Sequence, residues 1–197
     1  MSTTTTNNAG PASGATQASA PAPVEAYEAN LSKGSVYLSD ATKVMELRER
    51  AFGTLSGNRV ILNPYEAFYL TEKNKIKVRL GKADKVLKLR DLVTRLSVGE
   101  PAIWIRYLVY RDLRDRGYLV REKERFDFET FGKGATRRLI YIVYEGGETS
   151  LEALSKLSAK ANSEGKDLVL AVIDRRTDIV YYTLNTVEDF KEQVNQQ

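Results

Sequence analysis

The residue types that this chain lacks restrict the chemistry it could perform. Its 197 residues include no cysteine and no histidine. Disulfides and serine–histidine or cysteine–histidine nucleophilic pairs are therefore excluded within the chain, and ligation of soft metals is not expected. Carboxylates, lysine, tyrosine, serine and threonine are the side chains that remain for catalysis.

One short motif, Glu164-Gly165-Lys166, places a carboxylate beside a lysine just before an apolar run. It is similar to half of a metal-dependent nuclease site, in which such a pair serves a magnesium-bound water. In such sites the motif lies on a strand, whereas Gly165 is typical of a helix end. We therefore expect neither a metal site nor a cofactor, and keep an active metal-dependent nuclease as a minor hypothesis.

Residues 106–116 combine four arginines with two tyrosines on one predicted helix. Guanidinium groups pair with phosphates and aromatic rings stack on bases, so this helix could present an RNA-binding face. Asp112 and Asp115 lie at helical spacing from the arginines, which favours a solvated surface of ion pairs instead. Tyr107 and Tyr110 are also compatible with a core position.

A second basic segment surrounds Gly132 to Gly134. It lacks the lysine–Ser/Thr ending and the following helix of a phosphate-binding loop. We interpret it as a flexible basic loop, in which Lys133, Arg137 and Arg138 are candidate RNA contacts.

The composition is that of an ordinary protein of one or two small domains, with 42% apolar and 28% charged residues. A net charge of +4 and a pI near 9.1 suit an anionic partner such as RNA without requiring one. No stretch approaches the roughly 18 to 20 apolar residues of a membrane span, and no secretory leader opens the chain. We expect a cytoplasmic protein with no membrane partner.

The chain divides into a tail and two domains. Residues 1–24 carry no charge and hold three of the five prolines, so we expect a disordered tail over residues 1–32. Strands and helices interleave over residues 33–98. One predicted helix starts at Asn63-Pro64. Residues 75–80 alternate between cationic and apolar side chains, which predicts a strand with its cationic face in water. This predicts a small N-terminal α/β domain.

Residues 99–197 are predicted to form a second, C-terminal α/β domain. A helix from Ala102 to Arg116 ends at Gly117, and short strands follow at residues 118–120, 126–128 and 139–144. A further helix starts at Ser150 and leads into an apolar strand, residues 168–173, and a returning strand, residues 179–184. The fold class is therefore α/β (α+β), with a mostly apolar central sheet and flanking helices.

Four segments of the second domain resemble the archaeal tRNA-splicing endonucleases. They are residues 110–118, 126–128, 168–174 and 177–182, in this order, and the arginine-rich helix with its Gly-Tyr ending is the most specific of them. Glu66 to Leu70 is similar to that family's N-terminal Glu-Ala-x-Tyr-Leu helix. The resemblance covers about residues 35 to 185 and implies a nuclease-like C-terminal domain.

The family cleaves introns from precursor tRNA at a bulge–helix–bulge without metal, using a tyrosine, a histidine and a lysine. The resemblance implies that these positions are Phe131, Ala135 and Lys166 in this chain, so only the lysine is retained. An arginine that holds a bulged base is replaced by Ala159. A lysine alone cannot supply both the base and the acid, so we expect this chain not to cut RNA by itself.

The resemblance also implies a role for an inactive chain, as the structural (beta-type) subunit of an α2β2 heterotetramer with a catalytic subunit. In that assembly an acidic loop docks into a basic pocket of the opposing catalytic subunit, and Asp174 and Asp178 match its two acidic positions. Without the resemblance, the same aspartates would be interpreted as stabilising a hairpin turn. The family's subunits also meet through the last strand, here Ile179, Val180, Tyr181 and Tyr182.

We therefore predict a non-catalytic architectural subunit of a tRNA-splicing endonuclease, with a catalytic subunit and precursor tRNA as its partners. The alternative is a stand-alone RNA-binding module derived from a nuclease, which would bind RNA without a partner and in a salt-sensitive manner.

Overall fold

The computed structural model describes residues 26–81, 85–100, 102–132 and 137–184. These residues form two sheets and five helices, which confirms the predicted mixed α/β class. Within the described ranges, no helix has both the length and the apolar character needed to cross a bilayer.

The first sheet belongs to the N-terminal domain and has the strand order β3-β4-β2-β1-β5-β6. Its strands are β1 (Tyr27–Ser32), β2 (Ser35–Leu38), β3 (Thr54–Ser56), β4 (Arg59–Leu62), β5 (Ile76–Leu80) and β6 (Val86–Leu87). β1 pairs with β5 in parallel, and the other pairs are antiparallel. Helices α1 (Ala41–Glu49), α2 (Pro64–Glu72) and α3 (Leu89–Leu96) supply buried side chains to one side of this sheet.

Local capping determines where the first two helices start. Asp40 Oδ1 accepts hydrogen bonds from the backbone N–H groups of Thr42 and Lys43, at 3.0 and 3.2 Å. Asn63 and Glu66 form a reciprocal capping box around Pro64, which is preset for the first helical turn. The start at Asn63-Pro64 was predicted from the sequence and is confirmed.

The predicted tail boundary at residue 32 is wrong. Tyr27–Ser32 forms β1, an inner strand of the first sheet, with Tyr27, Ala29 and Leu31 buried. The prediction failed because β1 is stabilised by parallel pairing with β5, about fifty residues away, which the local composition does not reveal. Residues 1–25 lie outside the described part of the chain.

The second sheet has the order β11-β10-β9-β8-β7. Its strands are β7 (Leu119–Glu122), β8 (Phe128–Phe131), β9 (Arg138–Tyr144), β10 (Asp167–Ile173) and β11 (Ile179–Leu184), and its helices are α4 (Ile103–Asp115) and α5 (Leu151–Ser163). β9 and β10 are parallel and are connected by α5, whereas β11 returns antiparallel at the edge of the sheet. The strands predicted at residues 139–144, 168–173 and 179–184 are confirmed, the last of them as the returning strand of a hairpin.

The predicted strand at residues 126–128 starts two residues later, at Phe128. Asp127 stands just outside the ladder, and its Oδ2 accepts a hydrogen bond from the Ile142 N–H at 2.7 Å. Burial raises the pKa of this carboxyl, while the Ile142 N–H and the Arg106 guanidinium oppose the shift. Asp127 is therefore a side-chain link between β8 and β9.

The two domains share one continuous hydrophobic core. It runs from the first sheet through α2 and α4 to β8, β9 and β10. Tyr107 and Tyr110 of α4 are fully buried in it, and their rings contact Phe68 and Phe128 edge-on, at centroid distances of 5.4 and 5.7 Å. These tyrosines are therefore core residues and cannot stack on bases.

Arg114 is buried where the two domains meet, with 8% of its surface exposed. Its guanidinium donates to the carbonyl oxygens of Arg50 and Ala51 at 3.2 and 3.0 Å, beyond the C-terminal end of α1. It also bonds the Tyr110 hydroxyl at 3.0 Å and lies 3.8 Å from the centre of the Phe52 ring. The charge is thus satisfied by carbonyl dipoles and aromatic faces.

Replacing Arg114 with methionine should lower the free energy of unfolding by about 3 kcal/mol, because buried carbonyl groups lose charged donors. Arg111→Met is a matched control, since Arg111 is half-exposed and contacts Glu72 at 3.2 Å on the surface of α4. The Arg111→Met substitution should lower the free energy of unfolding by less than about 1 kcal/mol. Urea denaturation of the full chain measures both values, and equal losses would contradict the role assigned to Arg114.

Candidate functional site

Two of the three positions implied by the family resemblance, Phe131 and Lys166, are located at one end of the second sheet. Phe131 ends β8, and Lys166 immediately precedes β10. Extending the strand register by one residue places both of them opposite Arg137. Ala135 lies outside the described residues, so its placement is not part of the site described below.

Lys166 is held by two carboxylates. Its Nζ lies 2.9 Å from Glu164 Oε2 and 2.9 Å from Glu129 Oε1, and only 12% of its side chain is exposed. These two carboxylates raise the pKa of Lys166. The ammonium group is therefore fully charged at neutral pH but already neutralised within the protein.

Glu164 is the centre of a larger group of lysines. Lys123 Nζ and Lys160 Nζ lie 3.2 and 3.6 Å from its carboxylate, in addition to Lys166. Hydrogen bonds from Lys166 and Lys123 lower the pKa of Glu164 from its ordinary 4.5 to about 2. We call Lys123, Glu129, Lys160, Glu164 and Lys166 the lysine–glutamate cluster.

This arrangement has little capacity for acid–base catalysis. Phe131 has no hydroxyl group, and its ring instead packs under the Arg121 guanidinium at 4.9 Å. The full sequence has no histidine. The hypothesis of a metal-dependent nuclease is weakened as well, because lysines occupy the Glu164 carboxylate that would bind the metal.

Sequence reasoning did not identify Glu129 as a partner of Lys166. A signal was present, because side chains alternate along a strand and Glu129 lies two residues before Phe131 on the same face of β8. Glu164 was considered only as a metal ligand. Gly165 ends α5 with a φ of +64°, which confirms the predicted helix end and turns Lys166 back towards Glu164.

The predicted docking loop, between β10 and β11, gives its two aspartates different surroundings. Asp174 Oδ1 accepts hydrogen bonds from the backbone N–H groups of Arg176 and Asp178, at 2.8 and 2.9 Å. Asp174 therefore shapes the turn, as the alternative interpretation held. Asp178 is exposed and lines a cleft of about 420 Å³ that α4 also borders, and no described residue pairs with its carboxylate.

The predicted interface strand, β11, is an edge strand whose two faces differ. Ile179 and Tyr181 pack against the core, and the Tyr181 hydroxyl donates to Asp112 Oδ2 at 2.8 Å. Burial and this hydrogen bond raise the pKa of Tyr181. Val180 and Tyr182 lie on the other face and are 49% and 54% exposed. Of these four residues, only Val180 and Tyr182 are exposed in the part of the chain that the structure describes.

The candidate RNA contacts are only partly described. Lys133 lies outside the described residues. Arg137 has 68% of its side chain exposed and approaches Glu129 at 3.9 Å, and Arg138 approaches Asp167 at 3.9 Å.

The arginines of α4 do not form an RNA-binding face. Arg114 is buried, Arg111 pairs with Glu72, and Arg106 pairs with Glu100 and Asp127 at 2.8 and 3.0 Å. Arg116 alone forms the expected pair within the helix, with Asp112 at 2.7 Å. The sequence favoured ion pairs within this helix, but most of its arginines contact residues of other segments instead.

Two family models match the chain. Residues 27–93 match the N-terminal domain of tRNA intron endonucleases, and residues 103–181 match the catalytic C-terminal domain. Together the two matches define a tRNA-processing nuclease fold, and the N-terminal match includes β1, which the predicted domain boundary excluded. The chain belongs to the tRNA intron endonuclease family.

Individual relatives agree with this result. The tRNA-splicing endonuclease of Pyrococcus horikoshii is 34% identical over 171 residues, which cover 84% of this chain and 98% of that protein. That of Pyrococcus furiosus is 35% identical over 157 residues, covering 77% and 91%. That of Methanococcus vannielii is 30% identical over 169 residues, covering 82% and 95%.

The depressed pKa of Glu164 predicts a pH-dependent contribution to stability. Because the carboxyl is more acidic in the folded chain, its contribution is present above about pH 5 and is lost as the pH falls towards about 2. The stability difference between wild type and Glu164→Gln should shrink over this range. Urea denaturation at several pH values measures it.

Glu152→Gln is the matched control, because Glu152 is an exposed residue of α5 that contacts only Lys156 among the described residues. Its difference from wild type should be smaller at every pH. If Glu164→Gln shows no larger and no more acid-sensitive a difference, the lysine–glutamate cluster does not hold Glu164 as described.

Proposed function

We propose that this chain is a non-catalytic, architectural subunit of a tRNA-splicing endonuclease. It assembles with a catalytic subunit into an α2β2 heterotetramer that cleaves precursor tRNA at bulge–helix–bulge motifs. The observation that carries the proposal is Lys166, the one retained catalytic-type residue, held between Glu129 and Glu164 at 2.9 Å. Its charge is directed to these carboxylates instead of a scissile phosphate.

The electrostatics of the lysine–glutamate cluster support this proposal. Cleavage of RNA develops negative charge on the phosphate, which an active site must stabilise with a cation that is not already neutralised. Glu129 and Glu164 would repel a phosphate that approached Lys166. The site also lacks the tyrosine and the histidine that the family resemblance assigns to proton transfer.

The surface around β11 supports a role in assembly. Val180 and Tyr182 form an exposed apolar and aromatic pair on an edge strand, which is a composition typical of protein interfaces. Asp178 presents a carboxylate with which no described residue pairs, on a loop whose backbone N–H groups bond to Asp174. We assign docking of the catalytic subunit to Asp178, Val180 and Tyr182, with Asp174 as the residue that positions Asp178.

Precursor tRNA is proposed as the substrate of the assembly because the relatives are tRNA-splicing endonucleases. A stand-alone RNA-binding module remains the second candidate from the sequence. It is distinguished by whether a catalytic subunit gains activity from this chain.

The first test is metal-free cleavage of a bulge–helix–bulge RNA by this chain, by the candidate catalytic subunit, and by their mixture, with chelator throughout. We expect cleavage only in the mixture, because the chain provides architecture and the partner provides the catalytic groups. Gel analysis of cleaved RNA measures the outcome.

Lys166→Met in this chain serves as the control for a hidden catalytic role, and should leave the cleavage rate of the mixture within about twofold. A large loss would mean that Lys166 acts on RNA. If the mixture cuts no better than the catalytic subunit alone, the proposed subunit role is wrong.

A second test separates the two aspartates of the loop. Asp178→Ala should leave the melting temperature unchanged and weaken assembly by roughly tenfold or more, because it removes an exposed charge at a contact. Asp174→Ala should also lower stability, by about 1 kcal/mol, because two backbone N–H groups lose their acceptor. Sedimentation velocity of the mixtures and thermal unfolding measure these effects.

Glu148→Ala is the matched control, since Glu148 is an exposed carboxylate on the neighbouring loop after β9. It should assemble like wild type. Normal assembly of the Asp178→Ala variant would refute the docking assignment.

A further inference from the structure

The first sheet has one face that no described element covers. Tyr27, Ala29 and Leu31 of β1 point into the core, so the alternate residues Glu28 and Asn30 point outwards. The strand register continues this outer face across the sheet, through one row that crosses four strands: Ile61, Tyr37, Asn30 and Arg79. We call this surface the outer face.

Positive charge is concentrated in the domain that carries the outer face. Residues 27–98 contain fourteen lysines and arginines against eight aspartates and glutamates, whereas residues 99–184 contain fifteen against fourteen. The basic excess of the chain therefore belongs to the N-terminal domain and not to the nuclease-like domain.

Two cations of the outer face have no carboxylate within ion-pair distance among the described residues. These are Arg59 on β4 and Lys77 on β5, and both are exposed. Among the described residues, the carboxylate nearest in the strand register is that of Glu28, which lies opposite Lys77 but is bound by Arg79 Nε at 2.7 Å. The outer face thus retains a net positive charge.

Arg59 and Lys77 share a row of the sheet and are separated by three strand spacings. With about 4.8 Å between neighbouring strands, their backbones lie roughly 14 Å apart. One RNA strand of a few nucleotides covers such a distance, which is in the range of single-stranded binding sites on sheet surfaces.

A shallow groove of about 500 Å³ runs along the same face, beside Arg59. Ser35, Tyr37, Ser56 and Asn58 are among the residues that line it, and no described lining residue is acidic. The Arg59 guanidinium lies 4.8 Å from the centre of the Tyr37 ring. Hydroxyl, amide and guanidinium donors without an acid suit a phosphate–ribose backbone.

We propose that the outer face, through Arg59, Lys77 and the groove beside Tyr37, binds the sugar–phosphate backbone of RNA. Naming that RNA as precursor tRNA, bound outside the cleaved junctions, rests on the proposed function. The lysine–glutamate cluster repels phosphate, so this face supplies RNA contacts that the inactive site cannot.

The test measures binding of a transcribed precursor tRNA to the full chain alone, by fluorescence anisotropy at several salt concentrations. Arg59→Gln with Lys77→Gln should weaken binding by roughly tenfold at low salt. The slope of log affinity against log salt should fall by about 1.5 to 2, because two phosphate contacts are lost. Both residues are exposed, and thermal unfolding checks that the variant is folded.

Arg90→Gln with Lys156→Gln is the matched control, since it removes the same charge from exposed positions on α3 and α5, away from the outer face. It should change affinity by less than about threefold. If the two double variants weaken RNA binding equally, the loss of affinity reflects the change in net charge and not a site on the outer face, and the proposal is overturned. Wild-type binding by the Arg59/Lys77 variant, or an absence of RNA binding by the wild-type chain, would overturn it as well.

A second readout separates this proposal from the subunit role. In the mixture with the catalytic subunit, the Arg59/Lys77 variant should raise KM for precursor tRNA and leave kcat unchanged. If the wild-type mixture does not cleave, the subunit role fails while the anisotropy result still decides the RNA-binding face. If cleavage occurs but neither KM nor affinity responds to the variant, only the RNA-binding face fails.

Discussion

The buried guanidinium of Arg114 constrains the whole junction between the two domains. A charge with 8% exposure must be satisfied, and here the carbonyl groups just beyond α1, the Tyr110 hydroxyl and the Phe52 ring satisfy it. Because these partners come from both domains, α1 and α4 are held in one relative position. The continuous core through α2 and α4 surrounds the Arg114 contacts, and buried residues of the second sheet pack against α4 in that core.

This constraint also explains why α4 is not an RNA-binding helix. Its tyrosines fill the shared core, and Arg106, Arg111 and Arg114 contact residues outside the helix. The RNA binding proposed here therefore uses another surface, the outer face of the first sheet. The lysines at the end of the second sheet are neutralised by Glu129 and Glu164. The proposed architectural role and the proposed RNA contact thus fall on different parts of the chain.

Much of the fold was predictable because its signals are local. Asp40, Asn63-Pro64 and Ser150 start helices through hydrogen bonds that reach only two or three residues, and Gly117 and Gly165 end them with a positive φ that glycine accepts. β1 was missed because its pairing partner is about fifty residues away. The difference between the two aspartates of the β10–β11 loop was not predictable either, since both suit a turn equally well. Asp174 accepts hydrogen bonds within the turn, whereas Asp178 is exposed.

The sequence by itself determined which side-chain chemistries this chain cannot use. It contains no histidine and no cysteine, so nucleophilic pairs built on either residue are excluded whatever the fold. Only the tertiary structure decided what the retained groups do instead. Lys166 meets Glu129 across 37 residues, and Arg114 meets carbonyls more than sixty residues away. Residue identity limits chemistry directly, whereas burial and charge pairing depend on which distant segments pack together.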